Sequence, residues 1–283
     1  MHEFTDMHYY WYYRQCGISK LHEFQYKEAL KMFLKAEELG NLLKIYNEGP
    51  YYNIASCLTN IGYAYLAIEY LKMAEAEAVK SSNNRYNVYI RNLFALNYSI
   101  LGQHGRAISL LEGCLRGEKE KANAKGTIGA FYIDMGMIYH RMGKLSDAIK
   151  CLDVAGEYFQ ENSDSFTYNM YCKAYVLLAN SKTSEGLDCL DKGLDVSKQH
   201  TLMHVLLLTL KHSINLKEPE SLQYMQTTGI PQLLEYGEHL LVAEYYEKLG
   251  VYYQEIKKYK TASIYMHLAL DITKKLMKGD LNL

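Results

Sequence analysis

The sequence predicts an all-α protein built from stacked helix pairs. Only three prolines occur in 283 residues, at Pro50, Pro219 and Pro231, and proline is the residue that breaks a helix interior. No stretch of useful length alternates apolar and polar residues with the period of a β-strand. A third observation, an internal repeat, supplies the architecture.

The repeat is recognised by an alanine or glycine that returns at nearly constant intervals. These anchor residues are Ala29, Ala67, Ala107, Ala148, Gly186 and Ala262, spaced by 38, 40, 41, 38 and 76 residues. The last interval is twice 38, so one degenerate repeat is expected inside it. Twelve residues before each anchor lies a second small residue: Gly17, Ala55, Ala95, Gly136, Ala174 and Gly250. Two small positions in each repeat, slightly longer than the ~34 residues of the plain unit, are typical of tetratricopeptide helix pairs.

Bulky residues after each anchor are expected to fill the space between the helices. Phe33 and Ala36 follow Ala29 in the first repeat, and Tyr265 and Leu268 are expected in the corresponding places of the last. Small residues at the other positions allow two helix backbones to approach closely. The spacing therefore has a packing explanation.

Seven helix pairs are predicted in chain order. They lie near residues 8–40, 49–80, 86–118, 128–160, 166–198, 200–237 and 239–276. The sixth is degenerate, and Pro219 suits the first turn of its second helix. Polar stretches at 112–126 and 157–169 are expected to link pairs. We expect one domain over residues 1–283, a right-handed superhelix whose first helices line a concave peptide-binding surface.

Composition excludes several classes of function. A net charge of −1 gives no general attraction to nucleic acid or anionic membrane, and no apolar run reaches the ~18 residues of a membrane span. The six cysteines form no close pairs, so free thiols are expected. The first residues lack the features of a signal peptide. A cytoplasmic protein is therefore expected.

No constellation of residues indicates an active site or a cofactor. Phosphate-loop, nucleophile-elbow and paired-carboxylate patterns are absent from the sequence. His200 and His204 are four residues apart, but only His212 offers a third ligand nearby. We expect neither a metal nor another cofactor.

Three segments carry a resemblance to a known family. Residues 229–280, which begin GIPQLLEYGEHLL and end in Lys278-Gly279-Asp280, are similar to the C-terminal end of the Rap regulators of Bacillus and their relative NprR. Residues 92–112, with the Asn97-Tyr98 pair, resemble a Rap repeat, and residues 9–38 resemble the first repeat. The resemblance implies an intracellular receptor for a short signalling (Phr-like) peptide that regulates a response regulator or transcriptional output.

Alternatives to the peptide-receptor function remain. Members of the family carry an N-terminal output domain before the repeats, whereas this sequence begins at the first repeat helix. Aspartate phosphatase activity toward a response regulator depends on that domain and is not assigned to this sequence. A general protein-interaction scaffold is a further alternative, although such scaffolds usually carry inner lysines and arginines. The last pair ends in an apolar face that either a terminal helix or a second copy would cover, so a homodimer is expected.

Candidate peptide contacts follow from the helical period. Positions three before, one after and four after the first-helix small residue are expected to face the concavity. With neighbouring polar positions, the candidates are Asn60, Arg91, Asn92, Asn97, Ser99, Asp134, Met137, His140, Tyr171 and Tyr175. The alternative for each is an ordinary role in helix packing or on a helix surface.

The candidates differ in the chemistry they offer a peptide. Asn92 and Asn97 are expected to clamp the peptide backbone, because an amide is both donor and acceptor. Arg91 suits a peptide carboxylate, and Asp134 suits a basic side chain. The resemblance leads one to expect asparagines where Asp134 and Met137 stand, so peptide specificity is expected to differ from that of the family.

Overall fold

The structure, a computed structural model, describes residues 5–45, 48–80, 87–118, 124–199 and 201–278. Within these ranges it contains helices and short connections and no strand, which confirms the all-α prediction. The α-helices are α1 Asp6–His22, α2 Tyr26–Leu42, α3 Glu48–Ile61, α4 Ala64–Lys80, α5 Asn87–Ile100, α6 His104–Glu118, α7 Lys125–Arg141, α8 Leu145–Gly156, α9 Asp164–Ala179, α10 Thr183–Val196, α11 Leu202–His212, α12 Pro219–Tyr224, α13 Ile230–Tyr236, α14 His239–Glu255 and α15 Tyr259–Lys278. His200 and residues 279–280 lie outside the described residues, as does part of the link predicted at 112–126.

Helices joined by a short turn pack against each other as antiparallel pairs, and the seven repeat ranges stay a prediction. These pairs include α1–α2, α3–α4, α7–α8, α9–α10 and α14–α15. The turn within a pair ends the first helix with a residue in the left-handed region, as at Gly62 (φ 100°) and Gly143 (φ 72°). Glycine adopts this conformation without the steric cost that a Cβ imposes.

Close approach of the two helices explains the first-helix glycines. A Cβ on Gly17 would lie 2.6 Å from the Phe33 ring. A Cβ on Gly136 would lie 2.8 Å from Leu152 Cγ and 3.1 Å from the Ala148 carbonyl oxygen. The bulky residue four positions after the anchor therefore occupies the space that a first-helix side chain would need.

The last pair requires a correction of one residue. A Cβ on Gly250 would lie 2.8 Å from Met266, so Met266 rather than Tyr265 corresponds to Phe33. Ala269 is buried whereas Leu268 is 39% exposed, so Ala269 corresponds to Ala36. The helical period places inward positions four and seven residues after Ala262, not three and six.

The degenerate sixth pair consists of α11 and a second helix that changes its winding. Pro219 occupies the first turn of α12, as predicted. A π-helical segment, Met225–Gly229, follows, and the Ile230 N–H donates to the Met225 carbonyl oxygen. Pro231, which has no N–H to donate, follows directly after Ile230, so the change in winding ends at the proline.

The chain separates into two compact units, and each is considered by itself. Unit 1 contains Met1–Leu101 with Leu234–Leu283, and unit 2 contains Gly102–Leu233. Unit 1 has a core in which Leu30, Phe33, Ile54 and Leu58 are fully buried. The expectation of one domain over the whole chain stays a prediction.

All six cysteines are free. In the described part of the chain no helix combines the length and apolarity needed to cross a membrane.

Candidate binding faces of the first helices

One candidate face lies in unit 1, on the first helices of the second and third pairs. We call it the asparagine face. It consists of residues at helical spacing whose side chains are exposed or half-buried: Tyr52, Ser56 and Asn60 on α3, and Tyr89, Asn92 and Leu96 on α5. The rings of Tyr52 and Tyr89 meet edge to face, with centroids 6.5 Å apart. This contact joins the two helices at one end of the face.

The amides of this face have hydrogen-bonding capacity for a ligand. Asn60 is exposed, and its Nδ2 donates to the Ser56 carbonyl oxygen over 2.8 Å. The Oδ1 of half-buried Asn92 is itself buried and has no hydrogen-bond partner among the described residues. Arg91 is exposed beside Asn92. The exposed side chains of Asn60 and Arg91 have the chemistry that suits a peptide main chain and a carboxylate.

Asn97 and Ser99 require a correction, because they do not lie on this face. Asn97 is fully buried and Ser99 is 2% exposed. Asn97 Nδ2 donates to Thr59 Oγ1 and to the Leu93 carbonyl oxygen, both over 2.7 Å. Thr59 in turn donates to the Ala55 carbonyl oxygen over 2.8 Å. Asn97 therefore links α5 to α3 and offers no surface to a peptide.

We expect Asn97→Ala to lower the free energy of unfolding by about 1–3 kcal/mol, because a buried hydrogen-bonded pair loses one partner. Urea denaturation measures this change. In Thr59→Ala/Asn97→Ala the loss should be smaller than the sum of the single losses, since either substitution alone already breaks the bond. Strict additivity would contradict the assigned contact.

A second candidate face lies in unit 2, on α7 and α9. We call it the tyrosine face. Its aromatic row is formed by Tyr168, Tyr171 and Tyr175, with successive ring centroids 6.2 and 6.3 Å apart. His140 on α7 meets Tyr175 edge to face at 5.5 Å. Tyr171 is 6% exposed and forms the base of the row, whereas Tyr168 is 38% exposed.

Charged residues accompany the aromatic row. Asp134, Met137 and Arg141 lie on one stripe of α7, with Asp134 and Met137 half-buried and Arg141 exposed. Burial, reinforced by Arg141, holds the pKa of His140 below its usual value, so the ring is neutral near pH 7. The face therefore combines aromatic rings with one carboxylate and one guanidinium.

Beneath the aromatic row lies Cys172, which is fully buried. Burial raises the pKa of its thiol to about 12; a hydrogen bond with Tyr168 lowers this pKa and the negative charge of Asp134 raises it further. The thiol is therefore protonated at any physiological pH and has a packing role. The effect of Asp134 on Cys172 also indicates that its carboxylate lies close to the tyrosine face.

Sequence reasoning placed most candidates on these faces and missed some of their neighbours. In unit 1 Asn60 lies on α3 and Arg91 and Asn92 lie on α5. In unit 2 Asp134, Met137 and His140 lie on α7 and Tyr171 and Tyr175 lie on α9, with Tyr175 in contact with His140 and Tyr171. Their role in peptide binding stays a prediction. The residues missed are Tyr52, Ser56, Tyr89 and Arg141. Continuing the helical stripe by one or two turns from Asn60, Asn92 and Asp134 would have found them.

Comparison with known proteins shows which solved structures have a similar fold. No protein-family model matches the chain. The structure of NprR in complex with its cognate peptide NprX superposes with a TM-score of 0.83 and 22% identity, over 96% of this chain and 78% of that chain. The apo form of the quorum sensor NprR from B. thuringiensis gives a TM-score of 0.69 over the same shares, also with 22% identity. A Rap protein complexed with competence and sporulation factor gives 0.77 and 16% identity, over 97% of this chain and 77% of that chain.

Among curated proteins, a match is found to the RxLR effector protein SFI4 of Phytophthora infestans (strain T30-4). It is 22% identical over 189 residues, which are 62% of this chain and 55% of the effector. The chain thus spans about half the length of this relative.

These likenesses confirm the predicted fold class, a tetratricopeptide-type array of helix pairs. They also confirm, at the level of the fold, the predicted resemblance to NprR and the Rap regulators.

Proposed function

We propose that this chain is a receptor for a short linear signalling peptide, which binds to the first-helix faces. The observation that carries the proposal is the tyrosine face, where three tyrosines and a neutral histidine lie beside Asp134. The structural neighbours support it, since NprR and Rap proteins have been solved with the peptides NprX, competence and sporulation factor, and Phr*.

Each face would supply a different part of the recognition. The asparagine face would hydrogen-bond the peptide main chain through Asn60 and Asn92, independently of peptide sequence. The tyrosine face would select a side chain. A lysine or arginine of the peptide fits best there, because its cation gains from both the ring faces and the Asp134 carboxylate.

Peptide binding would act on the protein's output through a change in conformation. A ligand shifts the balance between two conformations only by the difference in its affinity for them.

We propose a cytoplasmic location, a response regulator as the protein partner, and a homodimer. A neighbour described as an aspartyl phosphate phosphatase supports the regulator partner. Light scattering during size-exclusion chromatography tests the dimer.

The test begins with a pool of randomised heptapeptides with free termini. Peptides retained by the folded protein are identified by mass spectrometry and titrated by calorimetry. We expect lysine or arginine to be enriched at one position. Asp134→Asn should weaken the enriched peptide about tenfold or more, as expected for loss of a charge-assisted contact. Asn92→Ala should weaken all retained peptides.

Matched variants on second helices serve as controls. Asp147→Asn on α8 and Asn41→Ala on α2 replace exposed residues of the same types and should leave affinity within about twofold. If the folded protein retains no peptide, the proposal is wrong. If the controls weaken binding as much as the face variants do, the assigned faces are wrong.

A further inference from the structure

The last helix pair contacts the first two pairs, although it lies far from them in sequence. Both belong to unit 1, and α15 contacts α4. The contact centres on Gly62, where α3 ends with φ 100°. A Cβ on Gly62 would lie 3.1 Å from Leu240 Cγ and 3.3 Å from Leu276 Cδ1. The two leucines therefore occupy space that exists because residue 62 has no side chain.

A second part of the contact lies at the start of α14. A Cβ on Gly237 would lie 3.9 Å from Tyr26 Cδ2. The neighbouring Glu238 is close enough to Tyr26 on α2 to raise the pKa of the Tyr26 hydroxyl, after the larger effect of burial. Gly237 itself has φ 84° and joins α13 to α14. The point of contact is thus also a connection with a backbone geometry that glycine favours.

We propose that Gly62, Leu240 and Leu276, together with Tyr26 and Glu238, form a latch that holds the last helix pair on the first two pairs and can open while every helix remains folded. Repeats of this kind are held mainly by contacts with their sequence neighbours. Contacts such as Gly17 with Phe33 or Gly250 with Met266 lie within pairs, and opening the latch leaves them intact. The latch is therefore an addition to the array, with a stability of its own.

Ionisable groups make the latch weaker than an apolar contact of the same extent. Tyr26 on α2 faces Glu238, and Cys57 of α3 lies beside Tyr26. Lys27 on α2 acts on His239, the next residue after Glu238. Burial raises the pKa of Glu238 to about 7, and burial with the charge of Lys27 lowers the pKa of His239 to about 4. Both groups favour their neutral forms in the closed latch, so ionisation of either favours opening.

Hydrogen exchange of the full chain, followed by mass spectrometry at about pH 7.5, tests the latch. Leu240→Asp and the milder Leu276→Ala should accelerate exchange of backbone amides at 59–66 and 237–245 by about threefold or more. Amides of α7–α10 in unit 2 should be unchanged, and the helical circular dichroism should be retained. Leu270→Ala, an exposed position on α15, is the matched control and should change nothing.

A variant in the opposite direction separates the latch from simple damage to the fold. Glu238→Gln removes the charge that the closed contact disfavours, so it should slow exchange of the same amides. The inference is overturned if Leu240→Asp loses its helical signal, if faster exchange is confined to α14 and α15, or if Glu238→Gln has no effect at 59–66. None of these outcomes depends on peptide binding.

Discussion

Phe33→Ala is expected to lower the free energy of unfolding by about 3–5 kcal/mol, the usual cost of removing a phenylalanine ring from a core. Phe33 is fully buried, and its ring fills the space in front of Gly17. The substitution leaves a cavity that two helices already in close contact cannot easily close. Urea denaturation provides the measurement. Leu42→Ala in the same helix, at a residue 67% exposed, should cost about 0.5 kcal/mol or less.

The partner substitution tests whether ring and glycine form one packing unit. Gly17→Ala gains up to about 1 kcal/mol of helix propensity, but its Cβ would lie 2.6 Å from the Phe33 ring. Overpacking of this kind costs about 1–3 kcal/mol, so a net loss is expected. In Gly17→Ala/Phe33→Ala the clash is gone, and the double variant should lose less than the sum of the single variants. Additive losses would show that the ring and the glycine do not share one space.

The helix pairs could be predicted from sequence because close packing restricts residue size at fixed intervals. Gly136, Ala148 and Leu152 carry this information within a segment of 17 residues, and the structure places them in contact. The last pair shows the limit of the argument. Tyr265 and Met266 are neighbours, both large and apolar, and the local pattern does not distinguish them. Only the contact of Met266 with Gly250 decides which residue faces inward.

The candidate faces were predicted less completely because one residue changes the direction of a helical side chain by about 100°. Asn92 and Asn97 seemed equivalent as polar residues on one helix. The structure leaves Asn92 half-buried on the surface and turns Asn97 toward Thr59. Which of two asparagines meets a neighbouring helix depends on helix packing, which the sequence of α5 alone does not contain.

The latch could not have been predicted for a different reason. Its two sides come from opposite ends of the chain, and the repeat pattern predicts contacts within a pair and between sequence neighbours only. Gly62 reads as an ordinary helix-ending glycine, and Glu238 reads as an ordinary surface carboxylate next to a turn. Their environments arise only when α14 and α15 contact the first two pairs.

Glu238→Gln is expected to stabilise the protein above neutral pH by up to about 3 kcal/mol. The pKa of Glu238 is raised to about 7 from an ordinary value of 4.5, so the folded protein favours the neutral acid. The stability from this preference is fully present below about pH 4.5 and is lost as pH rises to about 7. The total loss is roughly 3 kcal/mol. Urea denaturation between about pH 4 and pH 8 measures it. The gain of the variant should vanish below about pH 4.5.

His239 makes stability change with pH in the opposite direction. The two groups together set how the free energy of unfolding of the wild type depends on pH. The pKa of His239 is lowered to about 4 from 6.5, so its stability contribution is present above about pH 6.5 and is lost as pH falls to about 4. Between about pH 4.5 and 6.5 the two slopes cancel. Glu238→Gln should therefore become less stable as pH falls through this window, and His239→Gln should become less stable as pH rises through it. Glu235→Gln, at an exposed position of α13, should follow the wild type. Parallel profiles for all four proteins would mean that neither group is shifted by the contact with α2.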